Sequence, residues 1–232
     1  MGRFSFAVLM VVCMATAAGG QRPHRVFTPD PDYWVSGGVG GVRGDGVNDG
    51  ATASTWNFGN STNLQYRAAI EKGWTNGSSF GVSGTYARVP FVYSSNLATP
   101  LPGSISGTRC GAGGCDAHLN MMSLLGMLHY GSGAGLHSVV EAGAGIIAYN
   151  DLTRDSDGAR LAGGNNIDPM FTFDWGLGYG FNERTNLDVV WDWSMALHER
   201  SGQSNGVSNT NTMPGLRIQL RMGFGNRSLS RR

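Results

Sequence analysis

Phe171-Thr172-Phe173-Asp174-Trp175-Gly176-Leu177-Gly178-Tyr179-Gly180-Phe181 alternates a bulky apolar residue with a small or acidic one for eleven positions. In an extended chain, successive side chains point to opposite faces. One face of this strand therefore carries rings and a leucine, and the other carries Thr172, Asp174 and three glycines. The next two segments repeat the pattern. Leu187, Val189, Trp191, Trp193, Met195 and Leu197 alternate with Asp188, Val190, Asp192, Ser194, Ala196 and His198. Leu216, Ile218, Leu220, Met222 and Phe224 alternate with Arg217, Gln219, Arg221 and Gly223. A water-soluble barrel would turn its large apolar residues inward. Here the small face holds the glycines and charges, and a narrow barrel is expected to have room inside for small side chains and little else. The bulky face is therefore expected outside, and an outside of that kind needs lipid.

Outward from these segments, turn signals cut the chain into eight strands, over 33–43, 63–74, 79–93, 117–130, 135–149, 169–181, 186–198 and 213–224. Each matches or somewhat exceeds the roughly 9–11 residues that a tilted strand needs to cross the hydrocarbon. The connections alternate in length. Those after the second, fourth and sixth strands are Thr75-Asn76-Gly77-Ser78, Gly131-Ser132-Gly133-Ala134 and Asn182-Glu183-Arg184-Thr185. The others, 44–62, 94–116, 150–168 and 199–212, are long and rich in Gly, Ser, Asn and Thr. Short turns on one side and long loops on the other are the layout of a transmembrane β-barrel with its loops outside. The fold class read here is all-β, an eight-stranded antiparallel transmembrane barrel over 33–224. Tyr33, Trp34, Trp74, Phe80, Tyr130, Tyr179, Phe181 and Phe224 fall at the short-turn ends, where an aromatic girdle is expected. The first and fourth strands alternate less cleanly, and a bulge or phase shift is expected within Leu119-Asn120-Met121-Met122.

The remaining segments read as follows. Arg3, the apolar run Phe4 to Met14, and Ala15-Thr16-Ala17 compose a secretory signal over 1–17. Its apolar run is shorter than the roughly 20 residues of a spanning helix. A lipoprotein anchor at Cys13 is excluded by Val12 before it, where a small residue is needed. Residues 18–32, with Pro23, Pro29 and Pro31, read as a periplasmic lead-in, and 225–232 as a periplasmic tail. Charged residues make up only 14% of the chain and the formal charge is +1, which argues against a nucleic-acid partner. The 37 glycines interleave with aromatic and β-branched residues at strand spacing, unlike a disordered segment.

Cys110-Gly111-Ala112-Gly113-Gly114-Cys115 is expected to close a small disulfide loop in an oxidising compartment. No second pair of Cys or His lies nearby to make it a metal site. Asp151 and Asp155-Ser156-Asp157-Gly158 lack the spaced ligands and terminal glutamate of a calcium loop, and Asp and Gly are ordinary turn residues. No metal, cofactor or catalytic residue is expected. The inner face is expected to carry Arg67, Glu71, Glu141, Asp174, Asp188, Asp192, Arg217 and Arg221. Asp188 and Asp192 on the seventh strand are within reach of Arg217 and Arg221 on the eighth. Buried charges need partners, so these eight residues are read as a salt-bridge network that plugs the lumen. A proton or ion path is the alternative.

The eighth strand, Pro214-Gly215-Leu216 through Phe224, resembles the C-terminal assembly signal of outer-membrane proteins, with its glycine, alternating apolar residues and final aromatic. Val140-Glu141-Ala142-Gly143-Ala144-Gly145-Ile146 looks like the glycine-rich central strand of the small eight-stranded outer-membrane β-barrel superfamily. The chain departs from many members in running on past the aromatic. The resemblance implies the outer membrane of a Gram-negative cell, lipid and lipopolysaccharide as surroundings, the barrel-assembly machinery as a partner of the last strand, and a monomer. A weaker resemblance is to lipid A 3-O-deacylase barrels, on the same glycine-rich strand and on Pro214-Gly215-Leu216. Those carry a His-x-Ser-Asn motif, whereas this chain reads His198-Glu199-Arg200-Ser201. Residues i and i+3 of a strand do not share a face, and His137-Ser138 face opposite sides. No triad is visible, and His198 is read as a polar residue at the rim. The expected function is a small non-enzymatic barrel with a plugged lumen and a structural or surface-binding role. A degenerate deacylase-like hydrolase and a narrow, porin-like pore are the alternatives.

Overall fold

The computed structural model describes residues 30–49, 54–74, 77–95, 110, 113–163, 166–198 and 209–226. The signal over 1–17, most of the lead-in and most of the tail lie outside them. Ten strands run through the described residues: β1 (Tyr33–Val42), β2 (Val47–Asp49), β3 (Ser54–Asn57), β4 (Asn63–Gly73), β5 (Ser78–Ser95), β6 (Cys115–Tyr130), β7 (Gly135–Arg154), β8 (Asn166–Asn182), β9 (Thr185–Leu197) and β10 (Thr210–Phe224). All but β2 and β3 form one closed antiparallel ring, β1-β4-β5-β6-β7-β8-β9-β10. β10 returns to β1 with Phe224 opposite Tyr33 and Gly215 opposite Val42. Each of the eight expected segments coincides with one strand of the ring. Closure leaves no edge, so every strand can place its backbone groups in ladders without water.

The β6–β7 turn shows how a short connection forces its sequence. Gly131 has φ 113°, and a Cβ there would sit 2.0 Å from the Ser138 carbonyl oxygen. Only glycine fits a turn that tight. On the outer wall, Phe173, Trp175, Trp191, Trp193, Ile218 and Leu220 are all exposed, and the Trp175 and Trp191 ring centres lie 6.3 Å apart. This continuous apolar belt faces hydrocarbon. Tyr33, Trp74, Phe80, Tyr130, Tyr179, Phe181 and Phe224 are exposed at the short-turn end. Trp34 does not join them: it is buried in the lumen, because alternation along β1 turns Tyr33 outward and its neighbour inward.

Three further features depart from the sequence reading. The 44–62 loop contains the β2–β3 hairpin, with Val47 opposite Trp56. β4 pairs with β5 only up to Gln65–Ala87, and β3 then takes over from Asn57–Val92 to Ser54–Ser95. That handover is why β5 is longer than expected. Next, β6 alternates without interruption, with Ala117, Leu119, Met121, Ser123, Leu125, Met127 and His129 buried. The irregularity expected near 119–122 is a register shift between His118 and Asn120, and its extra residue belongs to β7. There Asp151 adopts φ 57°, so Tyr149 and Leu152 both point inward. Finally, the interior is not limited to small side chains: Trp56, Phe58, Phe91, Tyr93 and Tyr149 are buried inside.

Candidate functional site: the filled lumen

Inward-pointing residues of the eight ring strands, joined by the β2–β3 hairpin, fill the lumen in two layers. The layer toward the short turns is charged. Arg67, Glu71, Glu141, Asp174, Asp188, Asp192, Arg217 and Arg221 all lie there, each under a tenth exposed. Glu141 stands directly opposite Asp174, and Asp174 opposite Asp192, so three carboxylates form a row across β7, β8 and β9. Like charges opposed on neighbouring strands repel. The row is held together by two arginines, Arg67 on β4 across the lumen and Arg217 on β10, the strand beside β9. Each donates to Glu141 Oε2 at 2.8 Å; Arg67 also reaches Asp174 at 3.3 Å, and Arg217 reaches Asp192 at 3.0 Å.

A second group sits closer to the turns. Arg221 donates to Glu71 at 2.7 Å and to the Ser79 hydroxyl, with its guanidinium carbon 4.0 Å above the Trp34 ring. That stacking explains the burial of Trp34, since a guanidinium over an aromatic face is attracted to it. Asp188 does not take an arginine as its hydrogen-bond partner. It accepts from Gln219 at 3.1 Å, and Gln219 also donates to Glu141 at 3.0 Å. The pairing of β9 with β10 puts Gln219 directly opposite Asp188, which is why the shorter reach wins. Glycines on β8 make room: a Cβ at Gly178 would meet Asp188 Oδ1 and His137 Nε2, each at 2.4 Å. His129 was not among the expected site residues, yet it touches Glu141 at 3.0 Å.

The layer toward the long loops is mostly apolar, with one buried histidine–aspartate group in it. Trp56 of the hairpin is wholly buried, with ring centres of Tyr149 at 5.5 Å, Phe91 at 6.0 Å and His198 at 4.9 Å around it. Leu119, Met121, Val89, Leu152 and Phe58 pack into the same cluster. His198 corrects the rim reading. It is buried, its Nδ1 bonds Asp168, and its Nε2 lies 4.0 Å from Asp49 of β2. Ser201 lies outside the described residues. Counting the β8–β9 register outward from Met170–Ala196 puts Asp168 level with His198. The same count made from the turn is off by one, because the register shifts between Gly180 and Asn182.

At the outer surface Cys110 and Cys115 are joined in a disulfide, with Cα atoms 5.2 Å apart. Cys110 is buried in the apolar cluster, so the bond ties the loop after β5 to the start of β6. The acidic residues after β7 are engaged locally. Asp155 pairs with His118 at 2.5 Å. Hydrogen bonding from Arg154 holds the Asp157 carboxyl down to about 2.

No protein-family model matches the chain, and no curated protein matches it in sequence. Solved structures do match in fold. The barrel resembles Neisserial surface protein A with a TM-score of 0.52 at 11% identity, over 83% of this chain and 97% of that one. Weaker likenesses are to the outer-membrane protein OprG of Pseudomonas aeruginosa, at TM-score 0.45 and 10% identity over 84% of this chain and 98% of that one, and to the outer-membrane protein AlkL, at 0.42 and 16% over 92% and 100%. At such identities the likeness is one of fold. The closed ring and its apolar belt give this chain the fold of a small eight-stranded antiparallel barrel whose outer face suits a membrane, the fold it shares with Neisserial surface protein A.

Proposed function

We propose that the protein is a non-enzymatic barrel that conducts nothing and serves the outer membrane as a rigid platform for its long loops, in a structural or surface-binding role. The observation that carries this reading is the set of ion pairs that span the lumen: Arg67 on β4 holds Glu141 and Asp174, and Arg217 on β10 holds Glu141, while it also pairs with Asp192 on the adjacent strand. A water-filled pore keeps its charges solvated along the walls. Here they meet in the middle, each nearly cut off from solvent, and the aromatic layer lies above them. On this reading the eight charged residues are a plug, the surrounding lipid and lipopolysaccharide are the barrel's solvent, the last strand engages the assembly machinery, and the barrel acts as a monomer.

The test is electrical and chemical. Purified barrel in planar bilayers is expected to give no steady single-channel conductance. Stable steps that shift with Asp192→Asn, without lost stability, would establish a pore instead. Lipopolysaccharide from cells with and without the protein is expected to give the same mass spectrum; loss of one acyl chain would establish a hydrolase.

A further inference from the structure

Among the described residues, Asp188 is the one carboxylate of the charged layer that no arginine contacts. Glu71, Glu141, Asp174 and Asp192 each have a guanidinium nitrogen within 4.0 Å. Asp188 has the Gln219 amide, which donates to its Oδ2 at 3.1 Å. Its Oδ1 is buried and has no hydrogen-bond partner. The atom it faces is His137 Nε2, also buried and also without a partner, at 3.8 Å. That separation is too long for a hydrogen bond, so a proton alone does not bridge the two.

Strand pairing creates this gap. His137 on β7 stands opposite Gly178 on β8, and Gly178 stands opposite Asp188 on β9. The middle position has no side chain, and the outer two meet over it: a Cβ on Gly178 would fall 2.4 Å from both bare atoms. The other ring nitrogen is already engaged. His137 Nδ1 lies 3.0 Å from the Gly135 carbonyl oxygen, which can only accept. A histidine that donates one N–H to a backbone carbonyl turns its second nitrogen outward as a ligand, the arrangement metal-binding histidines use. Two ligands of a tetrahedral divalent ion, each at about 2.1 Å, stand about 3.4 Å apart, so a small side-chain rotation closes the gap onto an ion. We propose that His137 Nε2 and Asp188 Oδ1 are ligands of a divalent transition-metal ion of the zinc type, bound at the short-turn end of the lumen.

Asn186 supplies a third donor. It lies two residues before Asp188 on the same face of β9, is wholly buried, and has neither amide atom bonded. Its Oδ1 also lies over a glycine of β8, 2.8 Å from where a Cβ of Gly180 would be. Among the described residues no third His, Cys, Asp or Glu joins the group, so water completes the shell and the ion is exchangeable. An imidazole beside a carboxylate suits zinc, copper or nickel, whereas calcium and magnesium take oxygen ligands. The ion gives Asp188 the positive partner that the other four carboxylates receive from arginine. The way in is past the ring: the His137 side chain is 15% exposed and that of Asp188 1%, and His137 lies just beyond the β6–β7 turn.

The site takes Asp188 alone from the plug, so its fate is separate from that of the conductance test. The probe is zinc chloride, titrated calorimetrically into untagged full-length protein refolded in detergent micelles. One equivalent is expected to bind. His137→Gln and Asp188→Asn are each expected to weaken binding by about tenfold or more, since even a partner of a ligand is worth that much. His118→Asn, which removes the outer-wall histidine paired with Asp155, is expected to leave it unchanged. Absence of saturable binding would overturn the proposal, and so would binding that survives either lumen variant or vanishes with His118→Asn. Should a lumen variant not refold, nitrogen-15-labelled histidine in the wild type decides: the His137 Nε2 resonance is expected to move on addition of one equivalent of zinc, and an unmoved resonance would overturn the site.

Discussion

The two halves of the lumen solve one problem by opposite means. Near the short turns, space is filled by arginines and carboxylates, of which Arg67–Glu141, Arg67–Asp174 and Arg217–Glu141 reach across the barrel. Near the long loops it is filled by Trp56, Phe91, Tyr149 and their aliphatic neighbours. The charged half depends on partners: an ion removed leaves another stranded. The apolar half depends on volume: what counts is how much space a substitution empties. The charged half thus constrains its members by charge, and the aromatic and aliphatic part of the upper half constrains them by size.

The largest effect is expected from breaking the charged half. Arg217→Met strands Asp192 and takes one of two arginines from Glu141, and should cost on the order of 3–5 kcal/mol, read as a fall in the urea midpoint of refolding. Adding Asp192→Asn should recover part of that loss, because the two changes act on one network. Additive costs would show that the pair at 3.0 Å is not coupled.

Next comes emptying the apolar half. Leu119→Ala, at a wholly buried position, should cost about 2–5 kcal/mol by leaving a cavity. Unlike Arg217→Met, it should have no second-site partner whose neutralisation recovers the loss.

The outer wall tests the phase on which both halves rest. Trp191→Arg should cost about 2–4 kcal/mol if the residue lies near the midplane, and Leu220→Arg about as much. Ser194→Thr, on the buried inner face, should cost less. Equal tolerance at the three sites would reverse inside and outside.

The smallest effect is the sharpest contrast. Met121→Leu keeps volume in the apolar half and should cost less than about 1.5 kcal/mol. A change of similarly small volume in the charged half, Glu141→Gln, should cost clearly more, because Arg67 and Arg217 lose their shared carboxylate. Similar costs would mean that packing, not pairing, governs both halves.

Much of the fold was legible because a strand has a period of two. Phe171 to Phe181 displays that period in eleven residues, and Leu216 to Phe224 repeats it, so strand existence, phase and lipid face follow from local order alone. The turn at Gly131 was legible for the same kind of reason, a backbone shape that glycine alone tolerates. The membership of the charged set was also local, since each of its residues alternates with a bulky outward neighbour.

Partner choice was not local. Arg67 and Glu141 are 74 positions apart and meet because closure of the ring sets β4 across from β7. The hairpin at Val47–Asp49 and Ser54–Asn57 is too short to show a period, so only its packing on β5 and inside the mouth reveals it. Asp168 and His198 are separated by a turn whose register shift defeats counting. The sequence by itself determined that there would be a barrel, which face would meet lipid, and which charges would turn inward, because all three follow from alternation along one strand. Only the tertiary structure decided which charges pair, that rings fill the upper lumen, and that His137 faces Asp188 over Gly178, because those depend on distances across a closed ring that no single strand encodes.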